Sequence, residues 1–478
     1  MIAAVPVAAL FAALWAALPG SARIAPLVTL MAAAVTFAFS LIADRAVLAR
    51  GAITTFTSWV GLDALGALLL TLIALVYFTA ALYSWGYLRA EDPPQRRIRL
   101  YHANFNLFAF SMLCIPGLNE VGLVWIFVEL TTLLSVLLVS YSLTAEALEA
   151  AWKYMVLTLL GATIAVLGVL TLFWALHVAG STDFTWSGVR IDARHMPHAL
   201  LGVAFVLLLV GYGAKIGFVP LHTWLPDAHS QAPSPVCAML SGIETSVVLY
   251  VILRLRNVFA ADSDLHVGAW FAVFGIVSVS VAALLVIQAQ DYKRLFAFST
   301  VEHMGIILVA ASIFTPVGDI AVLWQILAHA VTKSFCFYAA GATLLVTGTR
   351  EIAGVRGLLG LSRGAAGSLL IGGLAVGGAP PFAVFLSEIA ILRAGLLAHL
   401  YGLVAILAFF IVLAFFGFLW HLTRMIAGPC ETIRVHERIP LTCRWAIALA
   451  AVPVILLGFW MPQDLGRLLE SAARVLGA

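Results

Sequence analysis

The sequence predicts an all-α integral membrane protein of about 14 transmembrane helices. Hydrophobic residues make up 63% of the 478 residues and charged residues only 10%, whereas a soluble domain carries about 25% charged residues. Apolar runs of roughly 18 or more residues recur from end to end, and each is long enough to cross a bilayer. The net charge of +3 is small and scattered, so nothing favours nucleic-acid binding.

The cysteines and the N-terminus give two further expectations. The N-terminal stretch MIAAVPVAALFAALWAALPG has no basic segment, which predicts a first spanning helix rather than a cleaved signal peptide. No C-x-x-C spacing occurs, so we expect no metal cluster, haem or disulfide framework. We interpret all five cysteines as small apolar residues: Cys114, Cys237, Cys336, Cys430 and Cys443.

Hydropathy gives the order of the helices and a division of the chain. The predicted helices lie at roughly 2–18, 24–42, 62–88, 102–118, 121–141, 153–177, 199–231, 236–256, 267–288, 295–313, 318–346, 366–395, 400–426 and 444–461. Helices 1–3 fall in residues 1–100, helices 4–8 in 101–257, helices 9–13 in 258–426 and helix 14 in 427–478. Loops that follow odd-numbered helices hold more lysine and arginine, so we expect them to be cytoplasmic and both termini to lie opposite.

Two of the predicted helices are interrupted by proline and glycine. Helix 7 contains Pro220 and Pro226, and helix 12 contains the segment GGAPP at 377–381. Proline removes a backbone donor and clashes with the preceding turn, so we expect helices 7 and 12 to be discontinuous. Because the breaks lie five helices apart, the pattern predicts two inverted five-helix repeats, helices 4–8 and 9–13.

Glu129 and Lys215 are charged residues within predicted spans. An isolated charge at the centre of a membrane helix costs on the order of 2.5–3.5 kcal/mol on insertion scales, so each should be paired, hydrated or neutral. Our functional hypothesis is a Glu129–Lys215 pair whose proton affinity changes with its neighbours. The alternative is a structural ion pair that fixes helix 5 against helix 7.

The second half of the chain holds four further candidates for a proton path. His329 and Lys333 are four residues apart and share one face of helix 11. His303 lies in helix 10, and Glu388 follows the break in helix 12. Histidine suits such a path because its two ring nitrogens can accept and donate near neutral pH. A lone buried histidine is more often structural, and Glu302 cannot share the face of His303.

Three residues are weaker candidates for the path. Glu244 extends the path on helix 8 or faces the loop side, and both alternatives stay open. Lys153 lies at a helix end, where a lysine usually extends its amine toward water. His222 follows the break in helix 7. Asp63 and Asp227 lie near helix ends, and we interpret them as structural residues.

Four segments together resemble the antiporter-like proton-channel subunits of respiratory complex I, Mrp antiporters and energy-converting [NiFe] hydrogenases. The segments are KIGFVPLHTWLPDAHSQAPSPV, DYKRLFAFSTVEHMGI, HAVTKSFCFYAAG and GAPPFAVFLSE. The segments AHSQAPSPV and STVEHMGI are most similar to the hydrogenase-4 component F type. The resemblance covers about residues 60–425 and implies 14 helices, inverted repeats, broken helices 7 and 12 and a mid-membrane line of charged groups.

The resemblance also assigns positions in that line. Glu129 matches the helix 5 glutamate, Lys215 the helix 7 lysine and Glu388 the charge in helix 12. The remaining matches are polar or basic positions in helices 10 and 11: His303, His329 and Lys333. Many relatives carry a lysine in helix 8 where this chain has Ser246, so Glu244, water or a neighbouring group would have to take over that step.

The resemblance implies a proton-translocating membrane subunit of a hydrogenase-like or complex I-like oxidoreductase. We expect no metal, cofactor or redox centre in this chain, and we expect partner membrane subunits, a peripheral redox arm and a bacterial inner membrane. One alternative is a sodium/proton antiporter or the energising module of a non-redox transport complex. The other alternative is a structural anchor that does not conduct.

Overall fold

The computed structural model describes residues 4–54, 59–429 and 438–477, and these residues are predominantly helical. Twenty α-helices follow one another: α1 Ala4–Ala17, α2 Ala25–Arg50, α3 Ala64–Glu91, α4 Gln95–Cys114, α5 Val121–Val139, α6 Ala145–Val178, α7 Trp186–Asp192, α8 His198–Ile216, α9 Trp224–Gln231, α10 Ser234–Met239, α11 Thr245–Ala260, α12 Val267–Ile287, α13 Tyr292–Ala311, α14 Pro316–Thr347, α15 Leu358–Leu361, α16 Arg363–Val376, α17 Ala383–Leu397, α18 Tyr401–Ile426, α19 Leu441–Leu456 and α20 Gln463–Gly477.

Short irregular elements connect these helices. A π-helical turn, Leu240–Glu244, joins α10 to α11, and two-residue strands β1 (Ile53–Thr54) and β2 (Gly61–Leu62) pair antiparallel. The 3₁₀ turns are Ser21–Arg23, Ile115–Gly117, Ser140–Ser142, Ala193–His195, Ser263–Leu265 and Ile352–Gly354.

The predicted all-α membrane class is confirmed. Across the described ranges, ten helices are long and apolar enough to cross a membrane, and three shorter apolar helices accompany them. Each of the predicted helices has a counterpart, but length and composition alone do not fix the number of crossings. The count of about 14 crossings and the inverted repeats therefore stay predictions.

Several helix ends lie beyond the predicted limits. Helix α2 continues to Arg50, α4 begins at Gln95 and α6 begins at Ala145, where the Thr144 hydroxyl accepts a hydrogen bond from the Ala147 amide. Hydropathy locates the apolar part of a helix, whereas such caps extend it into polar sequence. The sequence analysis also missed α20, which packs its buried leucines and alanines against α3 and α14.

Both predicted helix breaks are present, and the structure adds two corrections, one at Pro226 in helix 7 and one in helix 8. Helix 7 consists of α8 and α9, and helix 12 consists of α16 and α17. Pro226 does not break a helix, because it lies in the first turn of α9, where its missing N–H has no partner to lose. Helix 8 is interrupted as well, by the π-helical turn that ends at Glu244.

The centre of the protein is formed by α10, α11, α13 and α14, whose residues are almost all buried, while α2, α5, α6, α12 and α18 turn much apolar surface outward. Close backbone packing holds α8 in place beside this centre. A Cβ atom on Gly211 would lie 2.5 Å from the backbone nitrogen of Ala165 on α6, so only glycine permits this approach.

Candidate functional site

Lys215 lies in the last turn of α8, beside the first helix break. Gly217, with φ of 90°, ends α8 in the left-handed conformation that usually terminates helices. The Lys215 ammonium donates hydrogen bonds to the Val128 carbonyl at 2.5 Å and to the Thr132 hydroxyl, both on α5. Its Nζ atom lies 3.7 Å from Oε1 of Glu244, and both side chains are almost completely buried.

Glu244 is the last residue of the π-helical turn and is bound from two other helices. Its Oε1 accepts hydrogen bonds from the Thr131 hydroxyl at 2.9 Å and the Tyr154 hydroxyl at 3.3 Å, while Oε2 has no partner. π-Helical turns often occur at functional sites because they change the direction of a side chain. Glu244 is only 2% exposed and does not face the loop side, while its part in the path stays a prediction.

The carboxylate in ion-pair contact with Lys215 belongs to Glu244, whereas Glu129 interacts with Lys215 without such a contact. The functional role of the Glu129–Lys215 pair stays a hypothesis. Lys215 contacts Val128 and Thr132, which are four residues apart and share a face of α5. Glu129 is displaced by about 100° around the same helix. It is half-buried, and its Oε2 atom has no hydrogen-bond partner.

A second lysine site is formed between α13 and α14. Lys333 is completely buried and donates hydrogen bonds to the Phe296 carbonyl at 2.6 Å and to the Ser299 hydroxyl. Both acceptors are uncharged oxygens, and within residues 4–54, 59–429 and 438–477 no carboxylate forms an ion pair with Lys333. The two lysines are thus anchored alike but differ in their countercharge.

Two buried histidines connect the π-helical turn to the second helix break. His329 Nε2 lies 2.9 Å from the Ser241 carbonyl in the π-helical turn, and His303 Nε2 lies 3.1 Å from the carbonyl of Val376, the last residue of α16. The Nδ1 atoms of the two rings are 3.1 Å apart. A continuous set of contacts therefore runs from helix 8 to helix 12.

Glu388 reaches the second break from α17. A Cβ atom on Gly378, whose φ is 75°, would lie 2.3 Å from Oε2 of Glu388. Glycine is needed there both for the left-handed backbone and for the space that the carboxylate occupies. The buried Glu388 carboxylate thus lies directly against the break, as the sequence analysis placed it.

Glu302 is an ionisable residue that the sequence analysis left out of the path. It is only 4% exposed, and its Oε2 atom has no hydrogen-bond partner. We excluded it because it cannot share the face of His303, but α13 is buried on all sides, so both faces point into the protein. Its charge within a predicted span was the signal that could have identified it.

Of the three weaker candidates, Lys153 and His222 lie outside this buried set, whereas Glu244 belongs to it. Lys153 is at the surface, 2.7 Å from Glu149 and 3.2 Å from Asp227, and Asp227 also binds Arg294 at 2.6 Å. His222 is half-buried in the first break, and its Nδ1 atom has no partner. The Ser246 hydroxyl is buried without a hydrogen-bond partner, two residues after Glu244.

A polar cavity of about 860 Å³ opens near the second lysine site, on the side predicted to be cytoplasmic. Its wall includes Phe298, next to the Ser299 acceptor of Lys333, and the charged side chains Asp291, Arg294 and Arg350. Burial raises the pKa of Asp291, which caps α13 at this loop.

The cysteines and possible metal ligands lie elsewhere. The four described cysteines are free thiols, and Cys430 lies outside the described residues. Three potential ligand side chains come together near the start of α8: His198, Asp262 and Asp264. They are at or near the surface and belong to no part of the buried line.

Comparison with known proteins places this geometry in a family. The family described as NADH:quinone oxidoreductase/Mrp antiporter, TM matches residues 119–415. The chain is 36% identical over 340 residues to the hydrogenase-4 component F homolog of Methylacidiphilum infernorum (isolate V4), an alignment that covers 69% of this chain and 71% of that protein. Alignments with further curated relatives span about half of those longer proteins.

Two solved structures show the same fold over nearly the whole chain. A chain of the membrane-bound sulfane sulfur reductase, an archaeal respiratory membrane complex, superposes with a TM-score of 0.87 and 23% identity, covering 99% of this chain and 97% of that one. A chain of respiratory complex I from Thermus thermophilus with bound NADH gives 0.80 and 21% identity, covering 99% and 100%. At these identities the likeness establishes the fold alone.

Proposed function

Because the chain belongs to the NADH:quinone oxidoreductase/Mrp antiporter transmembrane family, we propose that it is a proton-translocating membrane subunit of a multi-subunit oxidoreductase. The observation that carries this proposal is the line of buried ionisable groups between the two helix breaks. Charged groups inside a membrane protein are costly and usually mark an ion or proton path. The line consists of Glu244, Lys215, His329, His303, Lys333, Glu302 and Glu388.

The proposed mechanism is electrostatic, and the redox chemistry belongs to partner subunits. Glu129 interacts electrostatically with both Lys215 and Glu244 without a direct bond to either. A charge change in a partner would act through Glu129 and loosen the Lys215–Glu244 pair. Lys215 would then release its proton toward the histidines, with water carrying it where no side-chain hydrogen bond exists.

The second half of the proposed path receives and releases protons around Lys333. Two uncharged oxygens hold the Lys333 amine, with no carboxylate in ion-pair contact among the described residues. The polar cavity beside Phe298 offers an entry from the side predicted to be cytoplasmic. Glu302 and Glu388 are the acceptors nearest the second break.

The proposed surroundings follow from the relatives that carry hydrogenase-4 names. We place the protein in a bacterial inner membrane, beside other membrane subunits and a peripheral arm with the redox centres. Of the earlier alternatives, sodium transport would use oxygen ligands, and the line offers carboxylates as well as lysines and histidines, so the assay below also measures sodium dependence.

The test is proton uptake by vesicles that bear the intact complex, compared between wild type and Lys215→Gln. We expect the assembled variant to retain redox turnover and lose proton uptake. Lys293→Gln is the matched control, because Lys293 is also buried and donates to a carbonyl, that of Ala232, outside the line. Unchanged uptake in an assembled Lys215→Gln complex would refute the proposal and support an anchoring role, and sodium-dependent uptake would support the antiporter alternative.

A further inference from the structure

The contacts of His303 and His329 need more N–H donors than two neutral imidazole rings possess. Each Nε2 atom faces a backbone carbonyl, Ser241 for His329 and Val376 for His303. A carbonyl oxygen only accepts hydrogen bonds, so both Nε2 atoms must carry a hydrogen. A neutral imidazole has a single N–H, and two neutral rings would therefore present bare Nδ1 lone pairs to each other at 3.1 Å.

One additional proton resolves this contact. With a hydrogen between the two Nδ1 atoms, the repulsive approach becomes an N–H···N hydrogen bond. The pair then holds three protons on four ring nitrogens and carries one positive charge. We propose that His303 and His329 form a binding site for one excess proton, shared between their Nδ1 atoms and set between the π-helical turn and the second helix break.

The surroundings fix both rings in this arrangement. Both histidines are completely buried, and their ring centroids lie 5.2 Å apart. The Ser241 hydroxyl also binds the Thr300 hydroxyl at 2.6 Å, which ties the π-helical turn to the helix that carries His303. Neither ring can turn away from the other without giving up its buried carbonyl partner, and a buried polar group left unsatisfied is costly.

The charged pair competes with Lys333 for the same proton. Lys333 lies one turn from His329 on α14 and has only uncharged acceptors. Two neighbouring positive charges in the buried centre would be costly, so we infer that the pair and Lys333 together hold one excess proton. In the transfer, a Lys333 N–H bond breaks and an Nδ1–H bond forms, leaving a neutral amine and a charged pair.

Other titratable groups around the pair come from each element packed against it. Glu302 adjoins His303 on α13, Glu244 ends the π-helical turn and Glu388 lies at the break beyond α16. The inference deepens the proposed proton path and rests on it for its role in transport.

The test is solid-state NMR of the native complex labelled with ring-¹⁵N histidine. We expect a scalar coupling between two Nδ1 nitrogens across one hydrogen bond. His303→Gln and His329→Gln should each abolish it, whereas His102→Gln should retain it, since His102 is equally buried but its Nδ1 atom contacts the Thr29 hydroxyl instead. A wild-type complex without the coupling, or a coupling that survives either pair substitution, would overturn the inference.

A pH titration of the same signal tests the competition with Lys333. In Lys333→Gln the pair should lose its shared proton at a higher pH than in wild type, because a competing positive charge is gone. An unchanged or lower midpoint would contradict the competition. The coupling needs no turnover, so its failure is distinct from that of the proposed function, which the vesicle assay of Lys215→Gln decides.

Discussion

The two lysine sites show how the same anchoring can serve different electrostatic situations. Lys215 and Lys333 each donate to one backbone carbonyl and one hydroxyl of a neighbouring helix. Lys215 also has Glu244 at 3.7 Å, whereas the acceptors of Lys333 are both uncharged oxygens.

The difference suggests a division of tasks between the two halves. A buried ammonium beside a carboxylate is stabilised in its charged form. Removing the ammonium leaves the carboxylate as a buried charge without compensation, which destabilises the protein. A buried amine among neutral acceptors can change its protonation more easily. In the proposed function, the first half therefore holds a proton until a partner acts, and the second half exchanges one.

The largest effect should come from breaking the ion pair. Lys215→Gln leaves Glu244 buried without its cation, and removing one partner of a buried pair costs about 3–5 kcal/mol. The thermal stability of the purified complex measures this loss. Adding Glu244→Gln should recover part of it, and a double variant less stable than the single one would contradict the pairing.

A smaller loss of stability should follow Lys333→Gln. This substitution removes no ion-pair contact and leaves only uncharged acceptors unsatisfied, which costs about 1–3 kcal/mol. Proton uptake should nevertheless be lost, as for Lys215→Gln. Equal destabilisation by the two substitutions, in the same thermal assay, would remove the distinction between the two sites.

Gly378→Ala should disturb only the second site. A left-handed backbone costs a non-glycine residue about 1–2 kcal/mol, and the added Cβ would also displace the Glu388 carboxylate. Gly180→Ala is the matched control, because Gly180 has φ of 89° and open space around its Cβ position. Proton uptake should fall in the first variant and remain in the second; equal uptake in both would exclude a role for the Glu388 position.

The smallest effect should come from Lys153→Gln at the surface. Its pairs with Glu149 and Asp227 are solvent-exposed on the lysine side, and such pairs contribute about 0.2–1 kcal/mol. Asp227 keeps its contact with Arg294 in this variant. We expect near wild-type stability and proton uptake in the vesicle assay, and a large loss of uptake would place Lys153 in the path after all.

Much of the fold was predictable because the bilayer restricts what a sequence can do. Long apolar runs, proline in mid-span and rare charges each have few structural solutions in lipid. The class, the order of the helices and the two breaks followed from these patterns. The amphipathic α20, the capped helix ends and the π-helical turn did not, because polar residues and local hydrogen bonds set them.

The sequence by itself determined which side chains carry charge into the membrane. A charged side chain inside a bilayer is costly in free energy, so such residues are few and each requires an explanation. Only the tertiary structure decided how they meet. Glu244, at the end of the π-helical turn, is the carboxylate in ion-pair contact with Lys215, although Glu129 also lies in a predicted span. Contacts between His303 and His329, 26 positions apart, depend on the packing of α13 against α14, which no local pattern encodes.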